Sequence, residues 1–246
     1  MAITPTPQQR QVMSTKPKEV KIKTAPIVRS IFVQDDVEEA DAAMLQKDYA
    51  TALKKFRSAA AKKDAYAQFS VGDLYRAGLG VVQDHAKAVH WYRLAAKQGG
   101  EIAQYYLGVM YEKGQGVAQN YSEAVRWYKM AVEQGKDAAQ FNLALKYGKG
   151  LGVTQDYPEA ARLFKLAAVQ GYAKAQHNLG VCYTNGHGVV KDYIRAYMWL
   201  NLAAATGDAE ALKNRDFVAA LMTHKQVAQA QKLTRDCQAR NFTDCD

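Results

Sequence analysis

Ala67, Ala103, Ala139, Ala175 and Ala211 stand 36 residues apart, and much of the chain between them keeps the same step. Gln68, Gln104, Gln140 and Gln176 follow the first four alanines. Tyr75, Tyr111, Tyr147 and Tyr183 recur next, then the pairs Gly78/Gly80, Gly114/Gly116, Gly150/Gly152 and Gly186/Gly188, each followed by Val81, Val117, Val153 or Val189. Gly99, Gly135, Gly171 and Gly207 close the series. A period held through four copies without an insertion restricts the fold severely. Units below roughly 40 residues rarely bury a sufficient core alone, so the copies must stack and share one.

Within a copy the apolar spacing predicts two helices. In the second copy Ala103, Leu107, Met110 and Tyr111 fall at i, i+4, i+7 and i+8, a single helical stripe. Gly108 lies on that stripe, where a missing side chain admits the neighbouring helix; Ala144 does this in the third copy. The helix is expected to stop at Gly114. A second helix starts after Asn120, whose side chain suits the free N–H groups, with Glu123 three residues on in a capping-box spacing. Asp84, Asp156 and Asp192 take the same cap elsewhere, and Pro158 sits in a first turn where it removes no hydrogen bond. This helix is predicted to bury Ala124, Trp127, Tyr128 and Ala131 and to end at Gly135 in the left-handed C′ role.

The run from Ala103 through Leu107, Gly108, Tyr111, Gly114, Gly116, Val117, Ala124, Trp127, Tyr128 and Gly135 resembles the Sel1-like repeat, a relative of the tetratricopeptide repeat. The resemblance covers residues 65–208. Departures are Ala144 for Gly, Asn120 for Asp, and Leu163–Phe164 for the Trp-Tyr pair. It implies an all-α fold, a superhelical α-solenoid of helix-turn-helix repeats. Its expected function is that of a non-enzymatic scaffold or adaptor for protein-protein interaction.

Around the four repeats three further segments are expected. Residues 1–34 form a basic segment, either flexible or docked on a partner or on the solenoid. Six cations against Glu19 give it +5 of the chain's net +9. Residues 35–64 read as a plain tetratricopeptide-like hairpin lacking the four-residue Gly-x-Gly insertion. Asp35, Asp36, Glu38, Glu39 and Asp41 open its first helix, where negative charge suits the dipole and faces the basic segment. Residues 209–246 read as a capping hairpin and tail, with a helix cap at Thr223 and Gln226.

The Gly-x-Gly pairs invite a phosphate-loop reading, which their context excludes. A dinucleotide fingerprint needs a third glycine, a preceding strand and a following helix. Positions 83, 119 and 155 are Gln, position 191 is Lys, and a helix precedes each pair. The pairs therefore read as turns between helices. No serine has a Lys three residues on, no two of the five histidines have i, i+4 spacing, and no Cys/His zinc spacing exists. The expectation is no catalytic residue, no cofactor and no metal. Hydrolysis of the β-lactam-binding kind and attachment of the basic tail to an anionic surface are the alternatives.

In tetratricopeptide-like solenoids the first helix of each unit lines the concave face. Off the core stripe, that face would present Phe69, Ser70, Asp73 and Arg76 from copy one, and Tyr105, Tyr106, Val109 and Glu112 from copy two. Copy three would add Phe141, Asn142 and Leu145, and copy four His177, Asn178, Val181 and Thr184. Phe69, Tyr105, Phe141 and His177 read either as an aromatic ladder or as core. Ser70, Tyr106, Asn142 and Asn178 would hold a peptide backbone, since an amide both donates and accepts. The expected partner is a protein or peptide, with no specific nucleic acid. No apolar run approaches the roughly 20 residues of a membrane span. Cys237 and Cys245 lie close enough to pair across a turn, Cys182 reads as a buried hydrophobe, and the compartment is cytoplasmic if Met1 is the natural start, periplasmic or secreted if a signal peptide was removed.

Overall fold

The computed structural model describes residues 31–242 and Cys245. Among them twelve helices and no strand are formed: α1 (Ile31–Leu45), α2 (Tyr49–Ala61), α3 (Ala65–Ala77), α4 (His85–Lys97), α5 (Glu101–Lys113), α6 (Tyr121–Glu133), α7 (Asp137–Lys149), α8 (Tyr157–Ala168), α9 (Ala173–Asn185), α10 (Tyr193–Ala204), α11 (Ala209–Ala220) and α12 (His224–Ala239). From α1 to α11 consecutive helices pack on one another. The expected all-α solenoid is present. Readings that fall on residues 1–30, docking of the basic segment among them, lie outside the described residues.

The copies share buried clusters that run from one hairpin into the next, as units of this size must. Ala103, Leu107, Gly108 and Met110 of α5 are buried, as are Ala124, Trp127, Tyr128 and Ala131 of α6. The small residue on the stripe has the expected use: a Cβ at Gly108 would lie 2.4 Å from the Tyr128 ring. The recurring glutamines bind successive hairpins together. Gln104 donates to the Ala96 carbonyl at the end of α4 (3.3 Å) and accepts from Gln134 (2.8 Å). Gln68 and Gln176 donate to Ala60 and Ala168 in the same way. Each buried amide thereby adds a side-chain donor to a last-turn carbonyl that also accepts a backbone N–H, as Ala96 does from Gly99 (3.1 Å).

The glycine pairs are turns between helices. Gly114 (φ +65°) caps α5 in the left-handed region and Gly116 (φ +71°) follows. The amides of Gly114 and Gln115 donate to Met110 and that of Asn120 to Tyr111, so these are spent on that helix end. Gln119, where a phosphate loop would need its third glycine, donates from its side chain to the Glu112 carbonyl at 2.8 Å. Gly116 has a second duty. A Cβ there would lie 2.3 Å from the His85 carbonyl group at the start of α4. The turn therefore rests on the second helix of the preceding copy, and Gly80, Gly152 and Gly188 repeat the contact. The α1–α2 link, residues 46–48, lacks this spacer, whereas residues 78–84 between α3 and α4 contain it.

Helix starts follow the caps. Asn120 accepts from the Glu123 amide, and Asp84, Asp156 and Asp192 accept equivalently. The Glu123 carboxylate turns to Arg126 (3.0 Å), a charged partner one turn on. The full capping box forms at Thr223 and Gln226.

Two boundaries differ from expectation. Helix α1 begins at Ile31, so the acidic cluster lies beyond its first turn instead of opening it. Part of that cluster serves the hairpin itself. Asp36 accepts from Ser58 (2.7 Å) and Lys62 (2.9 Å), which hold its carboxyl below the usual range, and Glu39 pairs with Lys55. At the other end α12 packs on α10, not in a hairpin with α11. The reason lies in α10, which buries the unbroken run Ala196–Leu200 and so has two faces to cover. Helix α11, burying only Ala211 and Val218, offers little to α12. Cys237 in α12 is joined to Cys245 by a disulfide, with Cα atoms 4.9 Å apart. Burial pushes the free Cys182 thiol up to about 11. Among the described residues no helix is long and apolar enough to cross a membrane.

Candidate functional site

The first helix of each repeat, α3, α5, α7 and α9, carries the expected inner-face positions, and the spaces between these helices hold three groups of them. Between α3 and α5, Arg76, Tyr105, Tyr106 and Val109 line a cleft of about 400 Å³ with His85 and Lys113. Between α7 and α9, Leu145, Asn178 and Val181 line one of about 180 Å³ with Tyr157, Phe164 and Cys182. Val181 and Thr184 continue onto α11, where they meet Asn214 and the exposed Phe217.

Aromatic contacts cross the expected column instead of descending it. Phe69 meets Tyr106 (centroids 5.8 Å apart), Tyr106 stacks on Tyr92 (5.5 Å) and touches Tyr105 (5.4 Å), and Tyr105 reaches Tyr128 (6.1 Å). Phe141 turns to Phe164 and Tyr172. His177 leaves the column altogether. One ring nitrogen lies 3.3 Å from Asp208 and the other 2.9 Å from Asn214, so the ring ties α9 to α11. The ladder is broken because Tyr92 and Tyr128, from the second helices, interpose their rings.

The amide column is also reduced. Ser70 is 8% exposed, its side chain being too short to reach the surface that Tyr106 reaches at the same position. Asn142 donates to the Tyr128 hydroxyl (3.2 Å), and Asn178 to the Lys174 carbonyl on its own helix (2.8 Å). Thr184 bonds back to the Gly180 carbonyl.

Charges on this face are neutralised in sets. Asp73 accepts from Arg76 and from the Tyr92 hydroxyl (3.2 Å), and the Arg76 guanidinium lies 5.2 Å from the Tyr106 ring centroid. Glu112 accepts from Tyr128 (2.7 Å) and from Lys146 (2.5 Å). Burial, reinforced by the adjoining carboxylate, raises the phenol pKa of Tyr92 and of Tyr128. Both hydroxyls stay protonated and act as donors.

Lys146 is the residue that pattern reading missed. Its side chain is 5% exposed, and it occupies the stripe position held by Leu74, Met110 and Cys182 in the other copies. A charged residue on one copy of an apolar stripe was the available signal. Tyr128 is expected as core, and its hydroxyl, like that of Tyr92, carries polar contacts.

A family model described as "Sel1 repeat" matches residues 65–100, 102–136, 137–172 and 173–208. Among solved structures, a Sel1 repeat protein from Oxalobacter formigenes is 36% identical over 72% of this chain and 70% of its own, with a TM-score of 0.68. A protective antigen present in uropathogenic Escherichia coli strains, displaying an SLR fold, is 29% identical over 87% of this chain, with a TM-score of 0.57. The chain spans 54% of that antigen's length. No curated protein matches the chain.

Proposed function

Because the chain belongs to the Sel1 repeat family, we propose that it is a non-enzymatic scaffold or adaptor that holds a protein or peptide on the inner face of α3, α5, α7 and α9. Sel1 repeats are commonly protein-interaction scaffolds and generally non-catalytic. The observation that carries the reading is how the repeat divides its positions. Those constant between copies serve packing: the alanines and glutamines at the helix interfaces and the glycines of the turns. Of those that vary, Tyr106 and Asn178 line the clefts, and Asn142 holds the same position in the copy between them. Replacing these three with Ala should abolish capture of the partner while the protein still melts cooperatively. Undiminished capture would refute the assignment of the inner face.

We also propose that the protein works in an oxidising compartment; the Cys237–Cys245 bond supports this, since such bonds persist where thiols are not kept reduced. Alkylation of the natively isolated, unfolded protein should label one cysteine, Cys182, before reduction and three after it. Three labels without reduction would overturn the placement.

A further inference from the structure

The slot between successive inner helices is built from equivalent positions in each copy. At the α3–α5 junction it is lined by Arg76, His85, Tyr106, Val109 and Met110 and stands open. At the α7–α9 junction the residues 72 positions later, Gly148, Tyr157, Asn178, Val181 and Cys182, line a second open slot. At the junction between them, α5–α7, the same positions hold Glu112, Tyr121, Asn142, Leu145 and Lys146. Here the Lys146 side chain lies within the slot, 2.5 Å from Glu112 and 5.3 Å from the Tyr121 ring centroid.

The two helices flanking the filled slot each carry a lysine at one position of the last turn, Lys113 and Lys149. Both are exposed, and neither has an acidic partner among the described residues. A cation there complements the helix dipole, yet Ala77 and Asn185 serve in the outer copies, so the dipole alone does not demand it. The nearby carboxylates are already engaged, Asp73 by Arg76 and Tyr92 and Glu112 by Lys146 and Tyr128. Lys113 stands in the wall of the α3–α5 cleft and Lys149 in that of the α7–α9 cleft, so each cleft combines aromatic and aliphatic side chains with an unneutralised cation.

Resting on the protein-binding reading above, we propose that this face takes an extended acidic segment. Two apolar side chains of the segment enter the α3–α5 and α7–α9 clefts, and carboxylates next to them pair with Lys113 and Lys149 on the cleft walls. Successive first helices touch through side chains, as Phe69 touches Tyr106, which sets them roughly 10 Å apart, so two repeat steps span about 20 Å. An extended chain rising about 3.3 Å per residue covers that in about six residues.

The test uses the full chain and two fluorescein-labelled synthetic peptides of roughly twelve residues, each with two phenylalanines about six positions apart. In one the intervening residues are Asp and Glu; in its twin they are Asn and Gln. Anisotropy titration should show the acidic peptide binding at least about tenfold more tightly than the twin. Lys113→Gln/Lys149→Gln should remove that advantage and its salt dependence, bringing the acidic peptide's affinity to that of the twin on the same variant. Equal binding of the two peptides, or an acidic affinity indifferent to the double substitution, would overturn the acidic-segment assignment and leave the inner face as a binding surface. Absence of binding by either peptide would overturn the assignment as well. The wider reading is judged separately, by partner capture in the Tyr106/Asn142/Asn178 variant.

Discussion

Gly116→Ala is expected to cost roughly 3 kcal/mol or more, while Gly135→Ala costs about 1–2 kcal/mol. Both residues have positive φ, +71° and +84°, so both substitutions carry the penalty of a side chain in the left-handed region. They differ in what the new methyl group meets. Nothing lies within 4 Å of a Cβ at Gly135. At Gly116 it would fall 2.3 Å from the His85 carbonyl group, which is backbone at the start of α4 and has no rotamer to yield. Relief requires the second copy's turn to lift off the first copy's second helix, which opens the stack between them. The comparison is read from urea unfolding of both variants and the parent. Equal losses would mean that backbone conformation alone explains the glycine pair and that the turn does not buttress the preceding copy.

Glu112→Ala is expected to destabilise by about 2–3 kcal/mol and Lys146→Met by close to nothing, or to stabilise. Removing one partner of a buried ion pair strands the other charge, whereas replacing the buried charge with an apolar residue of similar length removes the desolvation cost. The two losses differ because Glu112→Ala strands Lys146, 5% exposed, whereas Lys146→Met leaves Glu112 with 27% of its side-chain surface exposed and the Tyr128 hydroxyl still donating to it. Methionine already occupies the equivalent position in the second copy, at Met110, where it is fully buried. The double variant Glu112→Ala/Lys146→Met should lie nearer to Lys146→Met than to Glu112→Ala, because the stranded ammonium is gone. Equal destabilisation by the two single variants would show that the pair contributes a net favourable interaction and not merely the avoidance of a stranded charge.

What could be read from the chain divides along a physical line. The stripe Ala103–Leu107–Met110, the caps at Asn120 and Asp156 and the left-handed Gly114 depend on contacts within one copy or on identical contacts between copies. Periodicity therefore reveals them. Lys146 depends on Glu112, 34 residues earlier, and the two meet only when hairpins stack. Averaging over copies hides such a pair, because it belongs to one junction. The same holds for His177, whose place off the aromatic column is set by Asp208 and Asn214 beyond the repeats. Ser70 fails for a simpler reason: inner-face geometry was assigned by position, and its side chain is too short to use it. The C-terminal helices were legible as helices but not in their packing. Helix α12 follows the second apolar face of α10, and that face is visible only as the run Ala196–Leu200, which fits no single stripe.

The inner face as the binding surface is tested most directly by partner capture with two matched sets of substitutions. One set changes Tyr106, Asn142 and Asn178 to Ala on the first helices. The other changes Lys97, Glu133 and Arg162 to Ala on α4, α6 and α8, where all three are exposed. Loss of capture in the first set with full capture in the second is the predicted result. Full capture in the first set with loss in the second would place the partner on the opposite surface and contradict the account.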